Sequence, residues 1–123
     1  MPIKTYAKGA KAERELIHFL NYHGFSCMRS ASSGGALYPL DVVAIRKDIT
    51  LTFEIKSWAK KPKVHKDQLK RFKAWSENAG AFAFIAWYNE NQWRFLTLKQ
   101  AEENQYEDEN WMSLDNLLNV FKL

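Results

Sequence analysis

Residues 81–88 read Ala-Phe-Ala-Phe-Ile-Ala-Trp-Tyr, an uninterrupted apolar run of strand length. A strand that is apolar throughout must be covered on both faces, which places this segment in the middle of a sheet and requires helices on either side. The rest of the chain supplies them. Ala12, Leu16, Phe19 and Leu20 recur at helical spacing over residues 10–23, with Gly24 as the stop. Leu69, Phe72, Trp75 and Ala79 mark a second helix from about Asp67 to Ala79, closed by Gly80. Residues 40–46 and 50–58 are rich in β-branched and aromatic side chains and flank a polar turn at Lys47-Asp48, so they predict a hairpin. Short strands at 25–29 and 93–98 and a last helix capped by Ser113 complete the order α-β-β-β-α-β-β-α. This is a central mixed β-sheet flanked by helices, an α/β sandwich.

A chain of 123 residues fits one domain over 1–123, and neither repeats nor a linker divide it. No stretch approaches the roughly 18 apolar residues of a membrane span. The single Cys27 cannot close a disulfide within the chain, and residues 1–10 lack the pattern of a signal peptide, so a cytoplasmic setting is expected. The net charge of +4 is unevenly spread: residues 1–75 hold 15 Lys/Arg against 6 Asp/Glu, and residues 76–123 hold 3 against 8. A basic part of this strength points to a polyanionic partner, because each neutralised phosphate releases counterions. Acids within it are unfavourable beside DNA unless a metal or a catalytic task keeps them there.

Three such acids stand out. In Glu54-Ile55-Lys56 the alternation of a strand puts Glu54 and Lys56 on one face and Ile55 on the other. If the hairpin is symmetric about Lys47-Asp48, Asp41 faces Glu54, and directly opposed residues have Cβ atoms roughly 4.5–5.5 Å apart. Two carboxylates so close repel unless a divalent cation bridges them, and Mg²⁺ favours one or two carboxylates plus water and phosphate oxygens. Glu13 lies at i, i+4, i+7 spacing with Ile17 and Leu20, near the inward side of the first helix. Taken singly, Glu13 reads as an acid in a helix's first turn and Glu54-Lys56 as an ordinary ion pair. Their gathering inside the most basic part of the chain favours a site.

An acid followed about a dozen residues later by Glu-x-Lys resembles the PD-(D/E)xK nuclease superfamily, whose fold is that of the restriction endonucleases. Lys8-Gly9, Ala12-Glu13-Arg14-Glu15-Leu16, Gly24-Phe25, Arg29-Ser30, Ser33-Gly34-Gly35, Pro39-Leu40-Asp41-Val42-Val43-Ala44 and Glu54-Ile55-Lys56-Ser57 together resemble the archaeal-type Holliday junction resolvases. The resemblance implies a homodimeric, Mg²⁺- or Mn²⁺-dependent endonuclease that cuts four-way DNA junctions at paired positions on opposing strands. By motif position it implies that Glu13, Asp41 and Glu54 are metal-site carboxylates, joined by the Ile55 carbonyl, and that Lys56 is the catalytic lysine. Ser33 matches a loop serine near the scissile phosphate, Arg14 and Arg29 match basic positions, and Gln68 resembles a site-supporting glutamine. Two departures are Leu40 between the motif's Pro39 and Asp41, and Trp58-Ala59 where a basic residue often follows Glu-x-Lys-Ser.

Lys8, Lys11, Lys60, Lys61, Lys63 and Lys66 are the expected phosphate contacts. Trp58 is read either as a base-stacking residue or as a loop anchor, and His65 as a lone exposed histidine beside the basic segment. Leu117, Leu118 and Phe121, or the aromatic region from Phe82 to Trp93, are candidates for a dimer face, although core packing accounts for most of them. The alternatives are another nuclease of the same superfamily, acting on a different DNA structure, and a junction-binding paralogue without catalysis.

Overall fold

The computed structural model describes residues 2–30 and 37–121, with side chains from Gly9 onward. Six strands form one sheet in the order β1 (Ser26–Arg29), β2 (Val42–Arg46), β3 (Ile49–Lys56), β4 (Phe82–Asn89), β5 (Gln92–Thr97) and β6 (Met112–Ser113). All neighbours are antiparallel except β3 and β4, which run parallel and form the middle of the sheet. Four helices flank it: α1 (Pro2–Tyr22), α2 (Lys66–Ala79), α3 (Leu98–Glu102) and α4 (Leu114–Val120).

The apolar run at 81–88 falls in β4 and is central, as its composition requires, and its alternate side chains feed two separate cores. Phe84 and Ala86 face one core with Leu16, Leu20, Phe53, Phe95 and Leu117, whereas Ile85 and Trp87 face the other with Leu69, Phe72, Leu98 and Trp111. The first core lies under α1 and α4 and the second under α2 and α3. Leu117 is thus a core residue, and the Phe121 ring lies 5.1 Å from that of Phe82 and 6.2 Å from that of Phe84.

Helix α1 begins eight residues before the periodic pattern does, at Pro2, a residue suited to the first turn. Gly9 lies inside it, tolerated at a cost in helix propensity. The helix ends as expected at Gly24, whose φ of 91 is open to glycine, with the Phe25 N–H returning to the Leu20 carbonyl at 3.0 Å. Helix α2 ends at Gly80 in the left-handed region, φ 66, and begins at His65, whose Nδ1 accepts from the Asp67 N–H at 3.2 Å. The lone histidine beside the basic segment is therefore a helix cap.

Two elements escape a pattern reading. The sequence Thr97-Leu-Lys-Gln100 is a capping box, with the Gln100 N–H donating to Thr97 Oγ1 and the Thr97 N–H to Gln100 Oε1, both at 3.1 Å, so that Leu98 opens a helix instead of ending a strand. Strand β6 has two residues, too few to show alternation, and pairs with Arg94 and Phe95. No helix among the described residues is long and apolar enough to cross a membrane.

Phe53 is fully buried and its ring lies 5.8 Å from those of both Phe84 and Phe95. Phe53→Ala should destabilise the fold by about 3–5 kcal/mol, seen as a lower urea midpoint with an unchanged slope.

Candidate active site

Three polar residues occupy alternate positions on the α2 face of β3: Thr52, Glu54 and Lys56. The first two are buried, and each is matched by a residue of α2. Thr52 Oγ1 lies 2.9 Å from Ser76 Oγ, and Gln68 Nε2 donates to Glu54 Oε2 at 2.6 Å. The spacing of Gln68 and Ser76, two helical turns apart, lets one helix face serve both rungs. Lys56 Nζ lies 3.2 Å from the same Glu54 oxygen.

Asp41 reaches this group from β2. The hairpin register pairs Val42 with Phe53 and Arg46 with Ile49, the symmetric arrangement about Lys47-Asp48. It ends at Val42, for the Asp41 N–H donates to the Phe53 carbonyl at 2.9 Å, while Asp41 Oδ2 accepts from the Ile55 N–H at 2.7 Å. The carboxylate thus bridges to β3 beyond the last paired residues, one residue off the direct opposition to Glu54 that symmetry alone predicts. Asp41 and Glu54 are each only 5% exposed, and the Asp41 charge is felt at Glu54.

Burial first, and the Asp41 charge second, push the Glu54 carboxyl up to about 7, against the opposing pull of Lys56 and Gln68. Glu54 Oε1 is buried and has no hydrogen-bond partner among the described residues. An orphaned carboxylate oxygen beside a second buried carboxylate is an arrangement that a cation would fit. The donors are all oxygens, which suits a hard divalent ion such as Mg²⁺ or Mn²⁺.

Glu13 is oriented differently. On α1 it accepts from Arg29 Nη1 at 2.9 Å, and burial raises its pKa against that pairing, with Asp41 contributing in the same direction. No group of three or more His, Cys, Asp or Glu side chains among the described residues is arranged to hold a metal ion. The acids form a close pair, with Glu13 coupled to it by charge and tied to Arg29.

The basic residues divide. Lys11, Arg14 and Lys60 are exposed. Lys61 is ion-paired with Asp108, and Lys63 lies over the Tyr106 ring at 6.0 Å, so both rest on the acidic segment before β6. Tyr106 also accepts the Val64 N–H at 3.2 Å. Ser33 and the side chain of Lys8 lie outside the described residues. A broad apolar groove, lined by Met28, Leu37, Tyr38, Leu40, Val43 and Trp75, adjoins Arg29 instead of covering the carboxylates.

Pattern reasoning left out Trp87 and Asn89. Trp87 Nε1 donates to the Trp58 carbonyl at 2.8 Å and Asn89 Nδ2 to that of Ala59 at 3.3 Å, which explains why β3 ends at Lys56 and does not run on to Trp58. Polar atoms at alternate positions late in an apolar strand were the available signal.

The pKa of Glu54 sets a pH dependence. Between about 4.5, the ordinary value, and about 7 the folded state keeps a proton that the unfolded chain has released, so stability falls as pH rises through this window. With chelator present, the wild type should lose up to about 3 kcal/mol relative to Glu54→Gln between pH 4 and pH 8, measured as the difference between their urea midpoints at each pH.

A family model described as archaeal Holliday junction resolvase (Hjc) matches residues 4–121. Crossover junction endodeoxyribonuclease Hje of Saccharolobus islandicus is 29% identical over 120 residues, covering 93% of this chain and 89% of that protein. Crossover junction endodeoxyribonuclease Hjc of Methanocaldococcus jannaschii is 37% identical over 82 residues, covering 66% of this chain and 59% of that protein. The structure of Archaeoglobus fulgidus Hjc, a Holliday junction resolvase from an archaeal hyperthermophile, superposes with a TM-score of 0.72 at 24% identity, over 90% of this chain and 98% of that one. That likeness extends to the mixed sheet and its flanking helices. With a family match spanning almost its whole length, the chain belongs to the archaeal Holliday junction resolvases.

Proposed function

We propose that the protein is a structure-specific endonuclease that resolves four-way DNA junctions by hydrolysing phosphodiesters at paired positions on opposing strands. The observation that carries this reading is the buried Asp41–Glu54 pair with its orphaned Glu54 Oε1 and the Lys56 ammonium alongside, in a chain of this family. Asp41, Glu54 and the Ile55 carbonyl would hold a Mg²⁺ ion, with Mn²⁺ as a substitute, and Glu13 would join them on giving up Arg29. When bound, the ion supplies Lewis acidity toward the phosphate and lowers the pKa of a water.

The chain's own groups do the remainder. Lys56 orients the attacking water and offsets the negative charge that develops on the phosphate oxygens during in-line displacement, in which the new bond from water to phosphorus forms as the bond to the leaving sugar oxygen breaks. Gln68 fixes the Glu54 side chain, and the Asp41 bond to the Ile55 N–H fixes the strand that carries both Glu54 and Lys56. Arg29 and Arg14 lie next to Glu13 and would contact phosphate, together with Ser33, Lys8, Lys11 and Lys60. Two cuts on opposing strands call for two sites, most simply through a two-fold homodimer.

The test is incubation with Mg²⁺ and a labelled four-way junction, linear duplex or single strand. Paired nicking of the junction alone supports a resolvase, whereas cleavage confined to another substrate points to a different nuclease activity. Asp41→Asn should abolish cleavage yet leave junction binding within a small factor in a gel-shift assay. Freeing Lys61 from its acidic partner should add a phosphate contact. Asp108→Asn is therefore expected to tighten junction binding at low salt and to steepen the plot of log K against log salt by about one unit.

A further inference from the structure

Lys56 has two neighbours, and only one belongs to the acidic site. Its Nζ lies 3.2 Å from Glu54 Oε2 and 5.2 Å from the centroid of the Trp58 ring. A cation within about 6 Å of an indole face is attracted by the ring's quadrupole, most strongly for tryptophan. Trp58 is 44% exposed, so packing alone does not hold it in place. Its backbone does: the Trp58 carbonyl accepts from Trp87 Nε1 at 2.8 Å, and Trp87 is itself buried, with its ring 5.4 Å from that of Trp111. The neighbouring Ala59 carbonyl is held by Asn89. Two side chains of β4 thus fix the strap that leaves β3, and the strap sets the indole beside the lysine.

The arrangement matters because the partners of Lys56 are not equivalent during catalysis. Glu54 belongs to the oxygen set proposed for the cation, and a carboxylate engaged by a divalent ion attracts a nearby ammonium less. The indole has no such competing duty. We infer that Trp58 is a positioning residue for Lys56, an aromatic rest that keeps the ammonium aimed at the phosphate once Glu54 is engaged. This rests on the junction-nuclease reading and deepens it. It also gives a role to the Trp58-Ala59 pair that stands where a basic residue often follows the Glu-x-Lys-Ser motif: the aromatic face restrains the existing cation in place of adding another.

The test has two parts, made on the full chain. In the first, protein labelled with 5-fluorotryptophan is observed by fluorine NMR without metal, and the Trp58 resonance is assigned by its loss in Trp58→Phe. Lys56→Met should displace that resonance and leave those of Trp75 and Trp93 in place. In the second, single-turnover and steady-state cleavage of a junction are compared for the wild type, Trp58→Leu and Trp58→Phe. Trp58→Leu should lower kcat roughly three- to thirtyfold with KM little changed, and Trp58→Phe should recover most of the loss. A resonance indifferent to Lys56 would overturn the inference, as would a Trp58→Leu defect confined to KM and junction affinity, which would make Trp58 a DNA contact instead. Inactivity of the unmodified chain on every DNA tested would overturn the functional reading and this proposal with it, and is recognised because it does not depend on residue 58.

Discussion

The hydrogen bond from the Ile55 N–H to Asp41 Oδ2, 2.7 Å long, ties Asp41 to β3 beyond the last ladder pair of β2 and β3, while β4 holds β3 from its other side as far as Lys56. The β2–β3 ladder ends at Val42 and Phe53, yet the acids and the lysine lie beyond that point. With the Asp41 N–H bond to the Phe53 carbonyl, the Ile55 bond keeps the end of β2 against β3 despite the like charges the two carry. Charge-assisted bonds of this kind are short and roughly twice as strong as neutral ones. This one uses a negative charge of the site to clamp the backbone that carries the other, so repulsion between Asp41 and Glu54 is borne by a fixed frame.

That frame also explains why a buried, raised-pKa carboxylate is kept at Glu54. Burial of an unmatched charge opposes folding, and Lys56 and Gln68 offset only part of the cost here, both at one oxygen. Stability alone would favour an apolar residue or a second donor to Oε1. The sheet instead presents a preorganised, electrostatically unsatisfied position, supported by a helix whose polar residues match the strand's polar face. A cation bound there, as proposed, would relieve the electrostatic cost that the fold already carries, so that affinity and geometry would be obtained together.

Much of this was legible in the residues. The apolar run at 81–88 required a doubly covered central strand, and the symmetric turn at Lys47-Asp48 gave the hairpin register over Val42–Arg46. The proximity of Asp41 to Glu54 followed from that register, although the final residue did not, because the Asp41 side chain bonds to the backbone in place of continuing the ladder. Gln68 was expected beside the site only through the family resemblance; that Ser76 meets Thr52 depends on how α2 crosses β3, and that Glu13 turns to Arg29 depends on where α1 lies against β1. The two-residue β6 carried no periodic signal, whereas the capping box at Thr97 did and was masked by the apolar residues around it.

The charge division along the chain takes on a different meaning once folded. The basic first part pointed to a polyanionic partner. The fold brings a portion of it together with the acidic last part, with Lys61 on Asp108 and Lys63 on Tyr106. Exposed ion pairs contribute little stability, so these contacts do not hold the strap in place; the Trp87 and Asn89 bonds to its backbone do. Their effect is on the potential near the site. Acids beside the basic strap lower the field that phosphates meet at Lys61 and Lys63 and leave the exposed Lys11 and Arg14 of α1 as the stronger attractors. Polyanion binding is thereby biased toward the side where Arg29 already neutralises Glu13, and the strap is left to orient Trp58 and, through it, Lys56.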